Sequence, residues 1–246
     1  VVGAGDEVDE VESGEKLVVD GDSGIVVLHP DQDTLEKYKN RKQKFLQVQN
    51  EAESDAHQPA VTMDGHQVEI VANIGNVVGM ESALEAGAEG VGLLRSEFLY
   101  LERSSLPSEE EQYQKYKTIA DAFGDKPVIL RTLDVGGDKE IPYIDLPSET
   151  NPFLGVRAIR LCLARPDLFK PQLRAALRAG YGNNLKLMFP MVASVNEVHQ
   201  VLEVLEECRV ELRSEGKKVA EKMDIGIMIE IPSAADMADH LSSLVD

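Results

Sequence analysis

Two short apolar runs, Val91 to Leu94 and Val128 to Leu130, set the pattern of this chain. Each is too short for a helix and too uniformly apolar for a strand with one wet face, so both predict strands buried on two faces. Each is followed directly by an arginine, Arg95 and Arg131. Between them Tyr113, Tyr116, Ile119, Ala120 and Phe123 recur at helical spacing, which predicts a helix with one apolar face to lay on a sheet. Ser108 with Glu111 reads as a capping box at its start, Glu109 and Glu110 suit the positive end of the helix dipole, and Gly124 stops it.

The same alternation continues on both sides. Val68 to Ile74 predicts a first strand, Val78 to Glu85 a helix ending near Gly87, Gly90 to Arg95 a second strand and Val128 to Asp134 a third. Two helical segments, Val156 to Leu163 and Leu168 to Ala179, precede a fourth strand at Leu185 to Met191. Ser194 with Glu197 caps the next helix, whose Val198, Val201, Leu202, Leu205, Cys208 and Leu212 share one face before Gly216. Ile225 to Ile231 predicts a fifth strand, and a last helix starts near Ala234. Regular alternation of this kind means a parallel sheet with right-handed crossovers, which an open doubly wound sheet and a (β/α)8 barrel both satisfy. No GxGxxG follows the first strand to favour a dinucleotide fold.

Upstream the pattern changes. Lys16 to Asp20 and Gly24 to His29 are β-type runs joined by Gly21-Asp22-Ser23, a hairpin signal. Asp33 with Glu36 predicts the opening of a helix to about residue 56, with Leu35, Tyr38, Phe45, Val48 and Ala52 as a thin apolar stripe. A polar helix of this length serves either as a semi-rigid connector or as an ordinary solvated surface helix. Asp55 to Ala60 reads as a linker and a domain boundary.

Composition narrows the class. With 43% apolar and 28% charged residues the chain falls among globular proteins, and 246 residues suffice for one large domain or for one domain and part of another. A net charge of −19 argues against nucleic acid or an anionic membrane as partner and suits a basic one. No run approaches the roughly 18 apolar residues of a membrane span and no signal peptide is visible, so the expected location is cytoplasmic. Cys162 and Cys208 lie in helical patterns without a CxxC-like neighbour and are expected to be reduced, packed thiols. Because the first residue is Val, the chain is expected to be a piece of a longer one.

In strand–helix–strand units ligands sit beyond the carboxyl ends of parallel strands, where Arg95 and Arg131 fall. Two guanidinium forks there suit a small, highly anionic ligand such as a phosphate that also carries a carboxylate; a structural salt bridge is the competing explanation. Glu230, within IGIMIEIP, is a charge among isoleucines that must find a counter-charge or a metal. Its hard oxygens suit Mg²⁺, and a salt bridge to a site arginine is the alternative. Asp134, Gly136, Gly137, Asp138 and Lys139 form a turn after the third strand, with Asp134 and Lys139 as supporting candidates; Asn73 and Arg157 rank beside them. His29, His57, His66, His199 and His240 share no common setting and are expected to be incidental.

The wording of several segments goes further. LLRSEFLYL at 93–101, LPSEEEQYQKYK at 106–117, LRTLDVGGDKE at 130–140, NPFLGVRAIR at 151–160, LMFPMVASVNEV at 187–198 and IGIMIEIPSAADMADHL at 225–241 resemble Enzyme I of the bacterial phosphoenolpyruvate:sugar phosphotransferase system. The resemblance covers nearly everything from about Pro59 onward. It implies a (β/α)8 barrel, incomplete in this chain: such a barrel takes about 250 residues and only 187 follow Pro59, room for about five of eight strands. Residues 1–31 then correspond to the last strands of a swivelling phosphohistidine domain, 32–59 to a connector helix and linker, and 60–246 to the first part of the phosphoenolpyruvate-binding barrel.

The resemblance further implies that Arg95 and Arg131 hold the phosphate of phosphoenolpyruvate and that Glu230 is a magnesium ligand. In that family the phosphoryl group moves to an enzyme histidine and then to a histidine-containing phosphocarrier protein, and the full-length enzyme is a homodimer. The phospho-accepting histidine, a second metal-binding aspartate with its neighbouring asparagine, a third substrate arginine and a catalytic cysteine have no counterpart here, so no catalytic residue is assigned and the piece alone is expected to be inactive. Pyruvate phosphate dikinase or phosphoenolpyruvate synthase is the alternative enzyme class, and a non-catalytic barrel interaction module the alternative of another kind. The RTLDVGGDKE and FLGVRAIR wording favours Enzyme I.

Overall fold

Five parallel strands in unbroken sequence order form the sheet that positions everything below. They come from a computed structural model that describes residues 3, 11–101, 103–136, 141, 143–144 and 155–246. Of the predicted turn after the third strand, Gly137, Asp138 and Lys139 lie outside the described residues, as do 151–154 of the NPFLGVRAIR segment. The chain divides into two compact units, Val1–Gln58 and Pro59–Asp246.

In the first unit β1 (Leu17–Asp20) and β2 (Ile25–Leu28) pair antiparallel, with Leu17 opposite Leu28. Helix α1 spans Gln32–Asp55, and its cap is Asp31, which accepts the Thr34 N–H at 2.8 Å. The expected opening at Asp33 is thus displaced by two residues: the Asp31 carboxylate reaches the free amide, and Asp33 falls inside the first turn. None of the α1 residues is buried, and Phe45 and Val48 are 56% and 64% exposed.

The second unit begins with a small antiparallel hairpin, β3 (Ala60–Val61) with β4 (Gln67–Val68). The predicted first strand therefore splits, because Val68 bonds back to Ala60 and only β5 (Ala72–Ile74) enters the parallel sheet. Helix α2 (Val77–Glu85) leads to β6 (Val91–Arg95), α3 (Glu109–Phe123) to β7 (Val128–Arg131), and α4 (Ala158–Ala164) with α5 (Pro166–Ala179) to β8 (Leu185–Phe189). Helix α6 (Val195–Ser214) leads to β9 (Ile225–Ile227), followed by short α7 (Pro232–Asp236) and α8 (Ala238–Leu241). Ser108 with Glu111 and Ser194 with Glu197 form the expected capping boxes. Gly124 ends α3 at φ +60°, a conformation that favours glycine.

The order β5-β6-β7-β8-β9 decides between the two architectures that the alternation left open. A doubly wound sheet reverses its strand order at a switch point, whereas consecutive strands paired in sequence are the winding of a barrel. The chain thus carries five strands of an α/β barrel-type sheet flanked by helices.

Register assigns the two faces. Leu94, Leu130, Leu187 and Ile225 align across four strands and are buried. The next row, Arg95, Arg131, Met188 and Gly226, lies on the opposite face, with Leu93, Ile129 and Lys186 below it. Most of that second face is only half-buried, which corrects the expectation of strands buried on both sides: its covering would be the far wall of a closed barrel. The third and fifth strands are also shorter than predicted, since the chain leaves the ladder after Thr132 and Met228, which each donate a last backbone bond to β8.

Cys162 in α4 and Cys208 in α6 are buried and free. Burial pushes the Cys208 thiol up to about 12 and raises that of Cys162 as well, so neither supplies a thiolate near neutral pH. No helix among the described residues is long and apolar enough to cross a membrane.

Among the described residues β5 and β9 each have a partner strand on one side only, and on β9 the outer N–H and carbonyl of Ile225 bond Asp246. Edges without a partner strand, beside a half-covered apolar face, invite association. A polypeptide limited to residues 1–246 is therefore expected to self-associate at micromolar concentration in sedimentation or light scattering, and a monodisperse 27.0 kDa monomer with a cooperative melt would contradict this.

Candidate anion-binding site

At the carboxyl ends of β6 and β7, Arg95 and Arg131 stand side by side in register and project to the same face. Their environments differ. Arg95 is exposed and makes no ion pair among the described residues, whereas Arg131 is 7% exposed. A guanidinium this buried must be paired. Its Nη2 donates to Glu97 Oε1, and its Nη1 lies 3.3 Å from Asp134 Oδ2. The other oxygen of Asp134 accepts from Arg157 Nη2 at 2.9 Å, so one carboxylate bridges two buried arginines. The buried Arg131 Nε has no hydrogen-bond partner among the described residues.

Local backbone makes this possible. Glu97 opens a 3-10 turn, Glu97–Leu99, directly after β6, which swings its carboxylate back over β7. Gly136 sits at φ +112°, and a Cβ there would lie 2.7 Å from Arg157 Cβ and 3.0 Å from the Val156 carbonyl oxygen. Only glycine lets the Asp134 loop lie against Arg157. Ala158, next to Arg157, holds φ +48°, and Met191, past the end of β8, holds φ +59°. Such left-handed conformations cost non-glycine residues about 1 kcal/mol or more and cluster where function constrains the chain.

Glu230 departs from expectation. It lies three residues beyond β9 and is exposed rather than buried among isoleucines, because the chain leaves the sheet after Met228, whose N–H makes the last bond to Phe189. Its Oε1 accepts the Met191 N–H at 2.7 Å, which ties it to the end of β8. No salt bridge to Arg95 or Arg131 forms. It therefore offers one hard carboxylate on the carboxyl side of the sheet. Among the described residues no group of three or more His, Cys, Asp or Glu is gathered to hold a metal. Asn73 is exposed in β5, opposite Leu93.

Of the sequence candidates, the structure joins Arg131, Asp134 and Arg157 through shared ion pairs and sets Arg95 beside Arg131. Glu97 is a site residue outside the sequence candidates. Its signal was present in SEF, an acid two residues past a strand-ending arginine and followed by Phe98 and Leu99.

Strands ordered as in a barrel, with guanidinium groups at their carboxyl ends, define an α/β barrel-type domain suited to a small anion. The chain belongs to the family described as "PEP-utilising enzyme, PEP-binding domain", whose model matches residues 49–246. Relatives named phosphoenolpyruvate-protein phosphotransferase come from Staphylococcus carnosus (strain TM300) at 48% identity, Geobacillus stearothermophilus at 47% and Priestia megaterium at 46%. Each alignment runs over 246 residues, 100% of this chain, and the chain spans 43% of the length of each relative.

Removing one partner of a buried ion pair strands the other charge, at a cost of about 3–5 kcal/mol. Asp134→Ala should destabilise the second unit by about 3 kcal/mol in denaturant unfolding. Glu230→Gln, exposed and still able to accept the Met191 N–H, should stay within about 0.5 kcal/mol of wild type. Equal effects of the two substitutions would contradict the ion-pair account.

Proposed function

We propose that this chain is the phosphoenolpyruvate-binding part of a phosphoenolpyruvate-protein phosphotransferase. The observation that carries the proposal is the row of Arg95 and Arg131 at the carboxyl ends of adjacent strands, in a chain whose relatives bear that name. Phosphoenolpyruvate joins a phosphate and a carboxylate on three carbons, and guanidinium forks bind both groups in bidentate fashion. Arg95 is exposed and available to an incoming phosphate. Arg131, steadied by Glu97 and Asp134, adds a fork with little freedom left to lose on binding. Arg157, paired with the other oxygen of Asp134, holds that carboxylate in place.

Phosphoryl transfer depends mainly on positioning and on charges set where charge develops. In this reading Arg95 and Arg131 neutralise the transferring group and hold it in line with the acceptor. Glu230 fits as one ligand of Mg²⁺, which typically takes only one or two carboxylates and fills its remaining positions with water and substrate oxygens. When bound there, the metal would supply Lewis-acid stabilisation of the departing enolate. Across the whole protein the acceptor is an enzyme histidine outside this chain, and the phosphoryl group then passes to a histidine-containing phosphocarrier protein, with sugar uptake as the purpose. We assign residues 1–31 to the end of the phosphohistidine domain, 32–59 to the connector and 60–246 to the barrel, and the full-length enzyme to a cytoplasmic homodimer.

Arg95→Lys in the full-length enzyme tests this. A point charge cannot reproduce the fork, so kcat/KM for phosphoenolpyruvate should fall about 100-fold while the melting temperature holds, because the wild-type side chain is exposed and makes no ion pair among the described residues. Unchanged kcat/KM would overturn the assignment.

A further inference from the structure

A buried polar network in the second unit ends on the backbone between Arg131 and Asp134. Gln172, on α5, is fully buried, and its Oε1 accepts the Leu133 N–H at 2.9 Å. Its Nε2 donates to the Tyr116 hydroxyl at 3.2 Å. Tyr116 donates in turn to Gln112 Oε1 at 3.1 Å, the same oxygen accepts the Tyr100 hydroxyl at 3.2 Å, and Gln112 Nε2 donates to the Pro107 carbonyl at 3.2 Å. Gln112, Tyr116 and Tyr100 are each no more than 1% exposed. Amides buried this deeply are retained only where their bonds are made.

The two ends of this network matter. Thr132 still donates to Met188 as β7 ends, but the next amide, Leu133, is taken by Gln172, and the Leu133 carbonyl faces the Cys162 thiol at 3.9 Å. The peptide that carries Arg131 toward Asp134 is thus held by helix side chains at the point where it leaves the sheet. At the other end Tyr100 follows the turn that carries Glu97, and its carbonyl accepts the Tyr143 hydroxyl at 2.5 Å. Both members of the Glu97–Arg131 ion pair are therefore braced by one continuous set of bonds through α3 and α5.

We propose that Gln172 is a positioning residue for phosphoenolpyruvate binding, acting through the Leu133 amide to set the Arg131 fork and the Asp134 carboxylate. The inference rests on the phosphoenolpyruvate reading of the site. Orientation of the amide is dictated by its partners: Leu133 N–H can only donate, so the oxygen faces it and the nitrogen faces Tyr116. A glutamate at 172 reproduces this pattern only when protonated, with its carbonyl toward Leu133 and its O–H toward the Tyr116 oxygen. Burial raises the pKa of such a carboxyl.

The test uses the full-length enzyme with Gln172→Leu and Gln172→Glu, and Arg95→Lys as a control. Two half-reactions are followed, phosphorylation by phosphoenolpyruvate and transfer from the phosphorylated enzyme to the carrier protein. Gln172→Leu should lose about tenfold in kcat/KM for phosphoenolpyruvate, mostly through KM with kcat near wild type, which a general loss of barrel structure would not leave intact, and should keep the carrier half-reaction. Gln172→Glu should regain activity relative to wild type as pH falls from about 8 to about 6, and it carries the test if the leucine variant does not fold. Gln172→Leu within twofold of wild type, or Gln172→Glu with a wild-type pH profile, while Arg95→Lys is impaired, overturns the role of Gln172. An unimpaired Arg95→Lys overturns the site reading, and this inference with it.

Discussion

A buried guanidinium is the constraint around which the carboxyl side of this sheet is arranged. Arg131 ends a strand whose neighbours are apolar, and leaving its charge unpaired there would cost several kcal/mol. Glu97 from the turn after β6 and Asp134 from the loop after β7 meet that demand, and Asp134 draws in Arg157 as well. The 3-10 turn presents Glu97 to Arg131, and glycine at 136 lets the Asp134 loop approach Arg157. What results is a rigid, charge-balanced cluster with Arg95 beside it, exposed and without an ion pair among the described residues.

Much of this was legible in the sequence, because the strongest signals are local. Capping boxes at Ser108 and Ser194 set helix starts through side-chain to backbone bonds that span three residues, and α3 and α6 begin where those boxes place them. Helical spacing of Tyr116, Ile119 and Phe123 marks a buried face for the same reason. Failures occur where a distant partner decides. Val68 pairs back to Ala60 rather than extending β5, and Glu230 escapes its apolar neighbours because the chain turns out of the sheet before reaching it. Strand order, which separates a barrel from a doubly wound sheet, is also non-local, since alternation alone permits both.

The site shows the same division. Arginines at strand ends are visible as residue types at a boundary, whereas the carboxylates that steady one of them come from separate loops. Glu97 looks like an ordinary helix-start acid until β6 and β7 are placed side by side. Gln112 and Gln172 are harder still: each falls at helical spacing on its helix's apolar face, but an amide there argues for a wet position until packing of α3 against α5 supplies its partners and makes a buried relay.

The central claim is that this edge binds phosphoenolpyruvate with a metal held by Glu230. Calorimetric titration of phosphoenolpyruvate into the full-length protein, with and without Mg²⁺, tests it most directly. The account predicts saturable binding that requires Mg²⁺ and loses that requirement, together with most of its affinity, in Glu230→Gln. Binding that is equally tight with and without Mg²⁺, or wild-type binding by Glu230→Gln, would contradict it.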